Sequence, residues 1–427
     1  MSAMQDHSFS LTDRSGTSVN SLVMRDQMFC AFKEILPVPI ISTQSGPLTG
    51  LTFAAKDMFV FKDRLPSCGL AQAPDLGLKG TAEILRKLLS AGSALVGFTT
   101  LTALAYEPSG VNGDGSRPVN PWGASLITGG SSSGSAVAVS ADLVDFAIGS
   151  DTAGSLRIPA QACGVASYKP SYGLISVDGA MPLAPSLDCV GFLARDVGLL
   201  QKIAEQLIEA TQYPALQFYV AADLYDLCVP DVKAQMQLLC MAMKNQDSDY
   251  SSIQILSLIK AADEPLFTLL EGEAAHSFSS LLQEKSLPEK LAQRLSKGQR
   301  FSVGDLQNAR NEAEDLHAKW VEHVPPHTCL ILPAMPCSTP DIDQCTQGSD
   351  KFSAKTLYAL SEFTRFASLL GLPVVTIPVG LDRRGAPLAV QIIGHRGQDH
   401  ALLDAALKIQ TLCNFNDLRS AMSGREI

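Results

Sequence analysis

The sequence predicts an α/β protein with a substantially parallel sheet, and three observations carry that prediction. Strand and helix patterns alternate from Leu51 to Phe98. Two polar turns then bracket a helix and an apolar strand, and strand patterning returns at Cys329 behind a long helical stretch.

The elements follow in order. Residues 1–48 form an N-terminal extension packed on the body, with a short helix predicted at Asp26 to Glu34 ahead of Pro37, Pro39 and Pro47. Residues 49–427 form a single domain. Leu51 to Ala55 is an apolar strand ending at Lys56. Ile84, Leu85, Leu88 and Leu89 make a helical face within Thr81 to Leu89, and Ala94 to Phe98 is the next strand. Residues 107–135 hold seven glycines and seven serines, which is loop chemistry. A helix at Ser135 to Ala141 and a strand at Val144 to Ile148 lead into a second turn, Gly149 to Ser155. From about 196 to 325 the pattern is helical, an insertion within that domain. Asp196 can cap a helix carrying Leu199, Leu200, Ile203 and Leu207, and Leu306, Ala309, Ala313, Leu316 and Trp320 lie on another stripe. Strands return at Cys329 to Leu332, Val374 to Ile377 and Leu388 to Ile393.

Composition narrows the function. Of 427 residues, 46% are hydrophobic and 18% charged, which is globular. Lys and Arg total 33 against 43 Asp and Glu, with no basic run to track a phosphate backbone, so nucleic acid is not expected as a partner. Gly371, Pro373 and Pro378 break the longest apolar run far short of the ~20 residues that cross a bilayer, so no membrane is expected either. The polar N-terminus and ten scattered cysteines without a C-x-x-C pair point to a cytoplasmic protein with reduced thiols and no zinc site.

The two serine-glycine turns, each ahead of a helix, can place hydroxyls and backbone N–H groups on one sheet edge. Acyl transfer needs that arrangement, because a tetrahedral intermediate requires a nucleophile and donors aimed at its oxyanion. The small residues at 152–155 let the amides of Thr152, Ala153, Gly154 and Ser155 approach a substrate closely.

Here the chain resembles the amidase-signature serine hydrolases. Gly129-Gly130-Ser131-Ser132-Ser133-Gly134-Ser135 is similar to their glycine-serine signature, and Asp151-Thr152-Ala153-Gly154-Ser155-Leu156-Arg157-Ile158-Pro159-Ala160 to the segment carrying their nucleophile. The 24-residue separation of Ser131 and Ser155 matches the family's spacing. Phe53-Ala54-Ala55-Lys56-Asp57 resembles the catalytic-lysine segment, and Gly371-Leu372-Pro373 through Gln391 to Gly394 the C-terminal core. The likeness covers roughly 49–200 and 326–410. It is nearest to short plant enzymes that hydrolyse indole-3-acetamide and their bacterial relatives, through Ser133, Asn120-Pro121 and Phe29-Cys30-Ala31-Phe32.

The resemblance implies a large mixed β-sheet flanked by helices on both faces, a cis peptide bond at Ser131, no cofactor or metal, and a homodimer as a common assembly. It implies Ser155 as nucleophile, Ser131 and Lys56 as proton relay, and an oxyanion hole from the N–H groups of Thr152, Ala153, Gly154 and Ser155. Lysine can serve as base if burial keeps it neutral. Ser132 and Asp151 would orient the turn, with Arg157 as an ion-pair partner. Alone, Lys56 would read as a solvated strand-end lysine; the two serine motifs in register change that. Ala153 stands where the family more often has glycine, and its methyl fits if its φ is negative. The expected reaction is hydrolysis of a small uncharged amide through a Ser155 acyl-enzyme. A carbamate-cleaving hydrolase on the same site and a catalytically weak binding module are the alternatives.

Gly130-Ser131-Ser132-Ser133-Gly134 also satisfies G-x-S-x-G, the nucleophile elbow that would use Ser132 with His395 or His400. The stretch ahead of it is a poor strand. His317, His323 and His327 are spaced wrongly for a metal face, with Pro325-Pro326 between the last two. The loop after Ala105 and the helical middle are the expected pocket walls.

Overall fold

A computed structural model describes residues 19–415, apart from 63, 210–212, 247 and 414. The polar N-terminus, residues 1–18, thus lies outside the described residues. Eleven strands form one sheet: β1 (Phe32–Ile40), β2 (Thr52–Lys56), β3 (Ala94–Thr99), β4 (Phe146–Asp151), β5 (Ala166–Lys169), β6 (Cys189–Ala194), β7 (Gln217–Val220), β8 (Tyr250–Ser252), β9 (Thr328–Pro333), β10 (Val374–Leu381) and β11 (Pro387–Ile393). Their spatial order is β1-β3-β2-β4-β6-β5-β10-β11-β9-β7-β8.

The sheet is mixed, which corrects the substantially parallel sheet read from alternation. β2 runs parallel to both β3 and β4, and β7 parallel to both β8 and β9. The β4, β6, β5, β10, β11 and β9 series is antiparallel throughout. Helices cover both faces, as the side chains of β2 record. Phe53 and Ala55 pack with Leu85, Leu88, Leu200 and Leu402 from helices on one face. Ala54, pointing the other way, packs with Ala136, Val137 and Ala160 from helices on the opposite face.

Most elements fall where periodicity put them. The predicted Thr81 to Leu89 helix is Glu83–Ser90, with Ile84, Leu85, Leu88 and Leu89 buried. The Trp320 stripe lies on Val303–His323, which starts at a Ser302–Asp305 capping box. Asp196 caps the following helix by accepting from Leu199 N at 2.8 Å. The N-terminal helix is displaced to Val19–Phe29, and the residues just after it form β1, an edge strand antiparallel to β3. Thus the extension completes the sheet as well as packing on it. The stretch from 196 to 325 is not wholly helical, because β7 and β8 lie within it and extend the far edge of the sheet. Among the described residues, no helix is long and apolar enough to cross a membrane.

Candidate active site

Parallel pairing of β2 and β4 brings their C-terminal ends to one edge of the sheet, with Ala55 opposite Ile148. A polar residue at the end of one strand therefore neighbours the turn that leaves the other, the usual location of a ligand site in parallel sheets. Lys56 is the last residue of β2, and Ser150 and Asp151 close β4. Ser131 and Ser132 stand just ahead of the helix Ser133–Ser140, and Ser155 just ahead of the helix Arg157–Cys163.

Lys56 and Ser131 are both fully buried. Lys56 Nζ donates to Ser131 Oγ at 2.6 Å and to Ser150 Oγ at 2.9 Å. Burial holds the lysine down at about 7, although the charges of Asp151 and Asp188 push it up. An amine in that range exchanges its proton near neutral pH, which an exposed lysine does not. The Gly130–Ser131 peptide bond is cis. A Cβ on Gly130 would lie 2.5 Å from the Glu107 carbonyl oxygen, so only glycine fits there. The two serine turns are tied to each other where Ser132 N donates to Ser155 O at 3.2 Å. The Ser132 hydroxyl donates to Ser150 O at 3.2 Å.

The Asp151 carboxylate organises the second turn. It accepts from Gly154 N at 2.8 Å, Leu156 N at 3.2 Å, and Arg157 Nε and Nη2 at 2.9 and 2.7 Å. Burial raises this carboxyl, but the Arg157 guanidinium outweighs it and holds it at about 2. Arg157 also donates to Thr364 O, Gln391 Oε1 and Ser368 Oγ. Both ions are wholly buried. Replacing Arg157 with methionine therefore leaves an uncompensated carboxylate, and the expected cost is about 3–5 kcal/mol. Urea unfolding at pH 7 reads it. The linked sign is fixed by the depressed Asp151: its stabilising contribution is present above the unfolded carboxyl value of 3.8 and is lost as pH falls through about 2.

One expected oxyanion donor is turned away. The Gly154 amide is directed to Asp151, which leaves Thr152, Ala153 and Ser155 as the amides of the predicted set still available to a substrate oxygen. Gly154 has φ +132°, and a Cβ there would lie 2.5 Å from Thr364 Oγ1, so the turn needs glycine at that point. Ala153 is absent from the residues of positive φ, and its methyl is accommodated.

Thr152, Ala153 and Ser155 line a cavity of about 450 Å3. Its walls come from the loop after Ala105 and from Phe267, Leu270 and Glu271 of the helical middle, as expected. A third wall, Phe352 to Ser361, was not legible in the sequence. Nor were two residues beside the predicted relay. Ser150 holds Lys56, and its place at the end of the neighbouring strand is a signal only once β2 and β4 are known to pair. Asp188, pushed up to about 6 by burial, accepts from Thr152 Oγ1 at 2.7 Å and from Leu183 N and Ala184 N. It carries no local motif.

The nucleophile-elbow geometry does not assemble. Ser132 is fully buried, His395 accepts from Trp320 Nε1 at 3.2 Å, and the His400 ring contacts Glu209 O. The His323 ring contacts Gln254 O, and no group of three metal-ligating side chains occurs among the described residues.

The family model described as Amidase matches residues 37–217 and 219–403. "Amidase 1" of Oryza sativa subsp. japonica is 29% identical over 425 residues, covering 90% of this chain and 95% of the relative. "Amidase 1" of Arabidopsis thaliana is 30% identical over 417 residues, covering 88% and 96%. A solved structure titled "Crystal structure of amidase" superposes with a TM-score of 0.81 at 26% identity, covering 92% of this chain and 95% of that one.

Proposed function

This chain belongs to the amidase family, and on that premise we propose that Ser155, Ser131 and Lys56 form the relay with which it hydrolyses a small uncharged amide. As an amidase it is a hydrolase acting on amide C–N bonds.

The observation that carries the residue assignment is the buried Lys56–Ser131 contact of 2.6 Å, next to a Ser155 that opens on the cavity. The substrate carbonyl lies over Ser155, its oxygen toward the amides of Thr152, Ala153 and Ser155. Neutral Lys56 takes the Ser131 hydroxyl proton while Ser131 takes that of Ser155, whose Oγ bonds the carbonyl carbon. On collapse the C–N bond breaks, and the proton returns from Lys56 through Ser131 to the departing nitrogen. Water then gives up a proton through the relay to Lys56 as its oxygen bonds the acyl carbon; the Ser155 Oγ–acyl bond breaks, the proton returns through Ser131 to Ser155 Oγ, and the carboxylic acid leaves. Preorganised amides stabilise the oxyanion in both halves without reorganising at the moment of reaction.

No cofactor has a place in this scheme. Its cytoplasmic location is part of the proposal, supported by ten cysteines that are all free. Aromatic and aliphatic lining, Tyr106, Ile158, Leu183, Phe267, Phe352 and Leu357, favours an acyl group with an apolar body. The test is a panel of arylacetamides, aliphatic amides and carbamates scored by kcat/KM on purified protein. An apolar primary amide is expected to lead. Leading turnover of a carbamate would transfer the reaction to that class, and no turnover with any member would favour a binding module.

A further inference from the structure

The chamber over Ser155 ends at an ion pair. Arg294 Nη1 lies 2.5 Å from Glu107 Oε2, and Arg294 Nη2 donates to Tyr106 O at 3.1 Å. The guanidinium stands 5.1 Å from the centre of the Tyr106 ring. Behind the pair lies a second cavity of about 220 Å3, walled in part by Leu70, Val111 and Leu291. Glu107, Arg294 and Gln347 line both spaces, so these side chains form the partition between them.

The partition is anchored to the relay. The Thr102 hydroxyl donates to Glu107 O at 2.9 Å, and Gly130 N donates to Pro108 O at 2.7 Å. Glu107 is therefore packed against the Gly130–Ser131 turn. In the relay argued above Ser131 delivers the proton to the departing nitrogen, so the leaving group lies on this side. We propose that the Glu107–Arg294 pair is a specificity-determining wall for the leaving group, confining the site to amides that release ammonia or a small amine. The inference rests on the Ser155–Ser131–Lys56 reading. An apolar N-substituent reaches the second cavity only by displacing an ion pair whose side chains are 32% and 16% exposed, and separating such partners strands a charge in a poorly solvated place. With the pair removed, the two cavities join and offer that substituent an apolar lining.

The experiment compares kcat/KM for a primary amide and its N-hexyl derivative with the same acyl group. Wild type is expected to prefer the primary amide by about tenfold or more, and Arg294→Ala to raise the N-hexyl to primary ratio by about tenfold or more. Arg294→Lys, which keeps a cation facing Glu107, is expected to stay nearer wild type. Glu107→Ala serves as the second opening variant, with thermal unfolding to check that each protein is folded. Equal wild-type turnover of the two amides overturns the inference without any variant. So does a smaller rise in the ratio, or a gain seen only when the acyl chain is lengthened. Wild-type turnover of the primary amide with Ser155 acylated leaves the relay reading standing in each of those cases; absence of any adduct on Ser155 overturns both.

Discussion

Ser155→Ala is expected to lower kcat/KM for a good amide by about 10,000-fold or more, the scale on which removal of a serine nucleophile acts. The expectation rests on access. Ser155 borders the 450 Å3 cavity, whereas Ser131 and Ser132 are fully buried behind it. The other serine and threonine hydroxyls on that cavity are engaged elsewhere, Thr152 with Asp188 and Ser361 with Arg365. A fluorophosphonate probe should label wild type on Ser155, and peptide mapping should find no adduct on the Ser155→Ala protein. Ser131→Ala separates nucleophile from relay: it keeps the attacking oxygen but breaks the path to Lys56, so slow labelling at Ser155 should persist. Labelling of folded Ser155→Ala at a second serine, or turnover within tenfold of wild type, would overturn the assignment.

Lys56→Met should cost about 100- to 10,000-fold in kcat/KM, the range that a positioned general base contributes. Methionine is chosen because the position is fully buried and its side chain preserves most of the packed volume. The pH dependence supplies a second reading. Lys56 is active when neutral and burial holds it near 7, so wild-type rate should climb through about pH 7 and level off above it. Lys56→Met should lose that limb, while His395→Ala and His400→Ala should keep it. A wild-type profile flat from about pH 6 to 10, with acylation limiting, would remove lysine as the base.

Particular residues show what could be read before the fold was known. Ile84, Leu88 and Leu89 recur at helical spacing, and the helix they define is where the pattern put it. The serine-glycine turns were legible because so many small residues in so short a stretch have few structural uses. Strand direction was not legible: β4 and β6 pair antiparallel through a connection that itself contains a helix and β5, and local alternation does not record that path. β5 and β8 are too short for a period to emerge. The Lys56–Ser150 contact spans 94 residues, and Asp188 reaches Thr152 across 36. Such partners depend on sheet order. The loss of Gly154 as an oxyanion donor was invisible for another reason, since composition says that a small turn can approach a ligand but not which amides point inward.

The Arg157 clamp bears on when the molecule becomes a catalyst. Its guanidinium joins the turn at 151–155 to Thr364, Ser368 and Gln391, which lie 207, 211 and 234 residues beyond Arg157 in the chain. A chain emerging from the ribosome thus exposes Lys56, Ser131 and Ser155 long before the segments that fix the nucleophile's backbone exist. During that interval Arg157 and Asp151 have each other but lack the surroundings that bury them. On the proposed assignment, a half-made polypeptide therefore carries Lys56, Ser131 and Ser155 without the distant partners that hold the turn at 151–155.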